Sequence, residues 1–554
     1  MNHDVDLLIR GGRIVDGTGN PWRYADVTVK DGFIVDVVAP GQFVGSAIEV
    51  LDANDHIVAP GFIDIHSHSD LALLVEPGAD QKLRQGVTTE IVGNCGISVV
   101  TLTKQFKKEC QQYARPVLGF ADLDWNWSDV DGYMARVAAV QPAVNVATYV
   151  GLGSIRCAVS GFDSGVSSKE QRHDMVRLAA EAIHQGAVGL SSGLVYAPGS
   201  YSSHEEICEL VEQVALVGAL YSSHMRDQGD GFLESVAETL DVGRQTGAAV
   251  QIAHHKVVGR ANWGKVTESL AMIRQARAEG IDAGSDVYPY LAGSTTMTAL
   301  LPDWALAGGR ESMLQRLRDP EQRMLIKKDW ITGRPQWDNR VASIGWENIY
   351  ISHLSTAGNQ DLVGLSVAVA STIRSQATDT EDFLLDLLIE EGGAVGNIQM
   401  ACSEEDLRQV MREPSTCFGS DGLFSSGRPH PRLHGTFPKI LGEYVRDNGI
   451  LSMEDAVRKM TSYPARRLGL VDIGLIESGY HADLVIFDPA RVAGPATYEQ
   501  PTQHPVGIRD VLVSGLFAVR DNQPTGIRAG RPLRRGQFTS TNASALTTNP
   551  KEQP

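Results

Sequence analysis

The sequence predicts an α/β fold: a parallel (β/α)8 TIM-like barrel with a small β-sandwich domain built from both chain ends. Three observations predict it. Eight apolar segments in the middle of the chain alternate with helical patterns, both ends carry short alternating strands, and the first barrel strand runs into His66-Ser-His68. Strand–loop–helix repeats bury a parallel sheet under helices and gather functional side chains at the carboxyl ends of the strands. At 554 residues the chain exceeds one ordinary core, so a catalytic domain plus an accessory one is expected.

The N-terminal stretch alternates over residues 6–15, turns at 16–19, and continues as strands 25–29 and 33–37. The pattern returns at 482–488, 507–513 and 516–520. Neither half has enough strands for a stable core, so residues 1–55 and 471–536 are expected to meet in one β-sandwich. The barrel, 56–470, takes strands 57–66, 87–93, 144–151, 187–194, 218–224, 248–255, 281–288 and 415–420, with helices at 168–185, 204–217, 231–246, 266–279 and 379–391. The gap between strands seven and eight is long. Residues 290–345, with Trp304, Trp330, Trp337 and, just past the end, Trp346, read as an inserted segment able to cover the site as a lid. The Ser-, Thr- and Asn-rich tail, 537–554, is expected to be disordered.

Hydrophobic content of 42% and charged content of 21% fit a globular protein. The net charge of −18 argues against nucleic acid or an anionic membrane as partner, since both need a basic footprint. The N-terminus lacks the basic-then-apolar pattern of a signal peptide, and no apolar run approaches a membrane span. Six cysteines (95, 110, 157, 208, 402 and 417) form no Cys-x-x-Cys pair and read as reduced thiols, which predicts the cytoplasm. Nothing in the sequence speaks to oligomeric state.

Side chains alternate along a strand, so His66 and His68 share a face, with Asp64 and Asp70 in the same phase. That is half a divalent-metal site, although His-x-His also occurs on exposed strands. The other strand ends decide the matter: Cys95 after strand two, His224 at the end of strand five, His254-His255-Lys256 at strand six and Asp421 at strand eight. Zinc accepts imidazole, thiolate and carboxylate, and all three stand at one rim. Cys95 in isolation reads equally well as a buried thiol; its place before Gly96 at a strand end favours a ligand. Lys256 shares a face with His254, which leaves His255 a supporting or packing role. His173, His184 and His204 fall on helices as solvated side chains, and Cys110, Cys157, Cys208 and Cys402 read as structural.

Seven motifs carry a resemblance: Gly61-Phe-Ile-Asp-Ile-His-Ser-His, Gly93-Asn-Cys-Gly-Ile-Ser, Ser223-His-Met-Arg-Asp, Ile252-Ala-His-His-Lys, Asp286-Val-Tyr-Pro-Tyr, Gly419-Ser-Asp-Gly and His430-Pro-Arg-Leu-His-Gly-Thr-Phe-Pro438. Together they resemble the N-acyl-D-amino-acid deacylase (D-aminoacylase) branch of the amidohydrolase superfamily, over residues 5 to 530. The resemblance implies one tightly held zinc on Cys95, His224 and His254. A second, weaker position would use His66, His68 and Asp421, with Cys95 able to bridge. Independently, the strand-four region 186–195 contains no lysine, which argues against a carboxylated-lysine centre. The chemistry implied is hydroxide generated from zinc-acidified water, with Asp421 taking the proton and passing it to the leaving amine. Lys256, Tyr288, Ser294 and Arg432 would hold the α-carboxylate and acyl carbonyl of a small-molecule substrate. Two departures stand out. His434 occupies a slot where a larger aromatic is expected, and the stretch 422–428 brings in Arg428 as a competitor of Arg432.

The expected activity is zinc-dependent hydrolysis of N-acyl-D-amino acids to a carboxylate and a free D-amino acid, the D-stereochemistry resting on the resemblance alone. A cyclic amide or another N-acyl compound is the rival substrate. A non-catalytic scaffold is the rival class; the chain retains every ligand and the strand-eight acid, which disfavours it. Leu291, Met297, Leu300, Leu301 and Trp304 lean toward apolar amino-acid side chains over acidic ones.

Overall fold

A computed structural model describes residues 3–119, 123–374, 379–424 and 427–537. Apart from Gln537, the tail expected to be disordered lies outside the described residues. Eight barrel positions follow in order: Phe62–Asp64, Val87–Val92, Asn145–Thr148 continued by Val150–Gly151, Gly189–Gly193, Leu220–His224, Ala249–Ile252, Ala283–Val287 and Thr416–Phe418. Neighbouring strands pair in parallel, and a parallel bridge between Ser67 and Gly422 joins the last position to the first. Helices Lys169–His184, His204–Ala215, Phe232–Thr246 and Val266–Ala278 pack outside. Serines start two of them. The Ser168 side chain accepts from Gln171 N within a capping box, and that of Ser203 accepts from Glu206 N, satisfying amides that open a helix unpaired.

Both chain ends enter one nine-stranded sheet. Val5–Ile14 pairs antiparallel with Arg23–Lys30 and parallel with Ala47–Asp52 and Ile57–Pro60, and the last of these pairs antiparallel with Leu484–Phe487. Ile9, Val27, Val58, Leu484 and Leu512 therefore share one apolar core. The single strand expected over 57–66 divides at Gly61. Ile57–Pro60 belongs to the β domain and Phe62–Asp64 to the barrel. A Cβ at Gly61 would lie 2.2 Å from Thr88 Oγ1, so only glycine passes there.

The excursion between strands seven and eight is larger than the expected 290–345. It folds around its own sheet, in which Gly396–Met400 lies between Ala292–Thr296 and Ile349–His353, all antiparallel. The central strand comes last in sequence, so the excursion runs on to Met400. Helix Thr380–Glu390, expected to cover the barrel, instead packs Leu384 and Leu388 with Met297, Leu300, Trp330 and Ile351 in a second apolar core. Its two ends lie side by side, with Cys402 N donating to Leu291 O at 3.0 Å.

Candidate metal centre

Every expected ligand stands at the carboxyl rim of the barrel and is buried. His66 and His68 follow the first strand, Cys95 the second, His254 the sixth and Asp421 the eighth, while His224 ends the fifth. One ligand atom from each of His66, His68, Cys95 and Asp421 lies within 4.8 Å of the others, and the same holds for Cys95, His224 and His254. Cys95 is common to both groups. Its Sγ is 3.2 Å from His66 Nε2 and 3.6 Å from His254 Nε2. His254 Nε2 is 2.8 Å from His224 Nδ1, and Asp421 Oδ1 is 3.1 Å from His68 Nε2.

Three of these residues have left-handed backbone: Cys95 at φ 55°, His254 at φ 35° and Asp421 at φ 50°. Non-glycine residues are uncommon there, and such strain gathers at functional sites. The Cys95 loop is held by strand four. Ser191 Oγ donates to Gly93 O at 2.5 Å and accepts from Gly96 N at 3.0 Å. A Cβ at Gly193 would lie 2.0 Å from Cys95 O. Backbone-to-backbone packing of this kind fills the rim of the strand from which lysine is missing.

Charge divides the two groups. Burial opposes ionisation of Cys95, but the charge of His66 and hydrogen bonds from His224 and His254 outweigh it and hold the thiol well below its ordinary range. Burial likewise opposes charge on Asp421, while Arg432 and His66 hold its carboxyl well down. Against the pull of burial, Cys95, Asp286 and Asp421 hold His66 well above the ordinary range, and Asp421 and Cys95 raise His68 to about 9. The other pair is kept neutral. Burial, then the charge of Lys256, presses His254 down to about 3, and burial also lowers His224.

Several supporting residues carried no role in the sequence reading. Asp286, at strand seven, accepts from His66 Nδ1 at 3.0 Å and from His254 N at 2.8 Å; an acid at a strand end was the available signal. Gln228 Nε2 lies 3.1 Å from His254 Nδ1, and Arg340, from the excursion, donates to Gln228 Oε1 at 2.8 Å. Asp64 and Asp70, in phase with the histidines, are not in either group. Asp64 pairs with buried Lys82 at 2.5 Å, and Asp70 Oδ1 accepts from Gly93 N at 2.9 Å.

Lys256, Tyr288, Ser294 and Arg432 line the same pocket as the metal-ligating candidates. The Tyr288 ring meets two cations, with Lys256 Nζ 5.3 Å and Arg432 Cζ 4.7 Å from its centroid. Arg432 Nη2 donates to Ser294 O at 3.1 Å, and burial lowers Lys256 to about 8. Arg432 Nε and Tyr288 Oη are buried with no hydrogen-bond partner among the described residues. Arg428 instead reaches Glu499 O at 3.2 Å, outside the pocket. His434 does not line it either. His255 turns away, with Nε2 2.9 Å from Ser269 Oγ and its ring stacked on Phe232. Met297, Leu300 and Leu301 fill the core of the excursion; the apolar pocket wall is Val117, Val195, Ala299 and Leu423.

The donor set fits zinc. Cys95, His224 and His254 offer a thiolate and two neutral imidazoles to one point, the ligand types of a closed or three-coordinate zinc site. Among the described residues no helix is long and apolar enough to cross a membrane. The amidohydrolase family profile matches residues 49–519. The chain is 36% identical over 536 residues to N-acyl-D-glutamate deacylase of Alcaligenes xylosoxydans xylosoxydans, covering 97% of this chain and 98% of that relative. It is 35% identical to D-aminoacylase of the same organism, over 96% and 98%. N-acyl-D-glutamate deacylase from Bordetella bronchiseptica, solved with zinc and a phosphonate mimic of the tetrahedral intermediate, superimposes with a TM-score of 0.81 at 33% identity, covering 96% of this chain and 99% of that one. A metal-bearing barrel rim, a thiolate shared by two ligand groups and likeness along nearly the whole chain lead to one assignment: the protein belongs to the amidohydrolase family, in its N-acyl-D-amino-acid deacylase branch.

Proposed function

We propose that the protein is a zinc-dependent deacylase that hydrolyses N-acyl-D-amino acids to a carboxylate and a free D-amino acid. Cys95, His224 and His254 would hold the tight zinc; His66, His68 and Asp421 would serve a weaker position, with Cys95 able to bridge. When bound, zinc supplies positive charge that polarises the amide carbonyl and acidifies the attacking water. Asp421, kept ionised by Arg432 at 2.9 Å, takes the proton of that water and passes it to the amide nitrogen, without which the amine is a poor leaving group. Arg432 and Lys256 bind the α-carboxylate, with Tyr288 Oη and Ser294 completing the cradle. The six unpaired thiols support a cytoplasmic setting.

The observation that carries this reading is the pair of unspent buried donors, Arg432 Nε and Tyr288 Oη, in the pocket that holds the ligand cluster. Buried donors want an acceptor, and a linear N-acyl amino acid brings a carboxylate where a cyclic imide brings none. Metal quantification with a panel of N-acetyl-D- and N-acetyl-L-amino acids, hydantoins and cyclic imides tests it. Zinc-dependent cleavage confined to the D-series is expected; cleavage of the cyclic compounds alone overturns it. Near-equal identity to a glutamate-directed deacylase and to D-aminoacylase gives no choice of side chain, so the panel spans acidic and apolar residues.

A further inference from the structure

The pocket at the metal-ligating residues is small, about 50 Å³, and beside it, across Tyr196, lies a cavity of about 440 Å³ lined by barrel and excursion residues. Val117, Val195, Tyr196 and Ala299 line both spaces, so the two adjoin across a shared wall. Leu306 and Met313 of the excursion are also part of the cavity wall. A cavity of this size is in the range that takes whole drug-sized ligands. An acetyl group cannot fill it.

Its position relative to the carboxylate cradle gives it a role. Lys256, Tyr288 and Arg432 stand after strands six, seven and eight. Tyr196 stands across the rim, after strand four, with its ring 5.1 Å from that of His224 and its hydroxyl 2.7 Å from Thr295 Oγ1. A substrate whose carboxylate rests on Arg432 and whose amide sits at the metal-ligating residues extends its acyl group away from the cradle, toward Tyr196. Building on the deacylase reading above, we infer that this cavity is an acyl-chain site and that the preferred substrates are D-amino acids bearing a medium-to-long alkyl or an aryl acyl group.

The test is kcat/KM on the zinc-loaded full chain for N-acetyl-, N-hexanoyl-, N-decanoyl- and N-phenylacetyl-derivatives of one D-amino acid. Each newly buried methylene is worth up to about fourfold, so a gain of roughly tenfold or more from acetyl to hexanoyl is expected. Leu306→Trp and Ala394→Phe, both at the cavity wall, should each lower hexanoyl and decanoyl turnover about tenfold and leave N-acetyl turnover within about twofold. Retained N-acetyl turnover also reports that each variant has folded. If neither folds, the wild-type series decides. A flat or falling acyl series overturns the inference. Failure to cleave any N-acyl-D-amino acid, acetyl included, would instead overturn the deacylase reading itself.

Discussion

Arg432 Nη1 lies 2.9 Å from Asp421 Oδ2, and both side chains are buried. An ion pair out of water holds Asp421 as a carboxylate over the whole neutral range. Asp421 is also only one member of the His66, His68 and Cys95 group. Asp421→Asn should therefore retain the tight zinc and lose about 10²–10⁴-fold in kcat. Metal content and turnover measured on one preparation check both halves, and full activity in the variant would show that the proton passes elsewhere.

Removing the shared thiolate acts differently from removing one imidazole of the outer group. Cys95→Ala should leave the purified protein without stoichiometric zinc, whereas His66→Ala should keep about one equivalent, because metal affinity follows the ligands lost. Elemental analysis after dialysis against a weak chelator distinguishes them. Equal loss in both would sink the division into a tight and a weak position.

Arg432 lines the pocket with a planar fork that lysine cannot copy. Arg432→Lys should raise KM and reduce kcat/KM about 10–100-fold, the worth of a charge-assisted hydrogen bond or two. An Arg428→Lys control, outside the pocket, should change neither constant appreciably.

Burial, followed by the charges of His504 and Lys82, lowers His434 to about 4. An unfolded histidine titrates near 6.5, so between these values the unfolded chain binds more protons and stability falls as pH falls. His434→Phe removes that proton and fills the slot with an apolar ring. The drop in melting temperature from pH 7 to pH 5 should become shallower in the variant; an unchanged slope would mean that His434 does not titrate in this window.

Gly193 leaves no room for a side chain, since its Cβ would fall 2.0 Å from Cys95 O. Gly193→Ala must push the Cys95 loop from the rim. Zinc content should fall below one equivalent while the far-ultraviolet circular dichroism stays that of the parent.

The barrel and its rim were legible because period-two and helical patterns and strand-end histidines are local signals. Cys95, His224 and His254 could be picked out singly, and closure of the barrel brings them together. Asp286, Gln228 and Arg340 were not legible as a support for His254, because they come from three distant segments and are ordinary residue types for a strand end, a loop and a helix. The extent of the excursion was hidden for a related reason. Its central strand, Gly396–Met400, pairs with partners some fifty and one hundred residues earlier, and the helix before it has the same amphipathic look as a barrel helix. Leu300 and Met297 misled in a third way: an apolar residue in an inserted segment fills that segment's own core before it lines a neighbour's pocket.

The hydrogen bond from Cys402 N to Leu291 O closes the neck of the excursion. A unit with its own sheet, its own core and adjoining ends leaves and re-enters the barrel at one place, so strands seven and eight pair directly in spite of it. The metal ligands lie on one side of that neck, and Ala299, Leu306 and Met313 on the other. Ser294 and Arg340 nevertheless reach back across that division, so the excursion contributes both to the pocket wall and, through Gln228, to the support of His254.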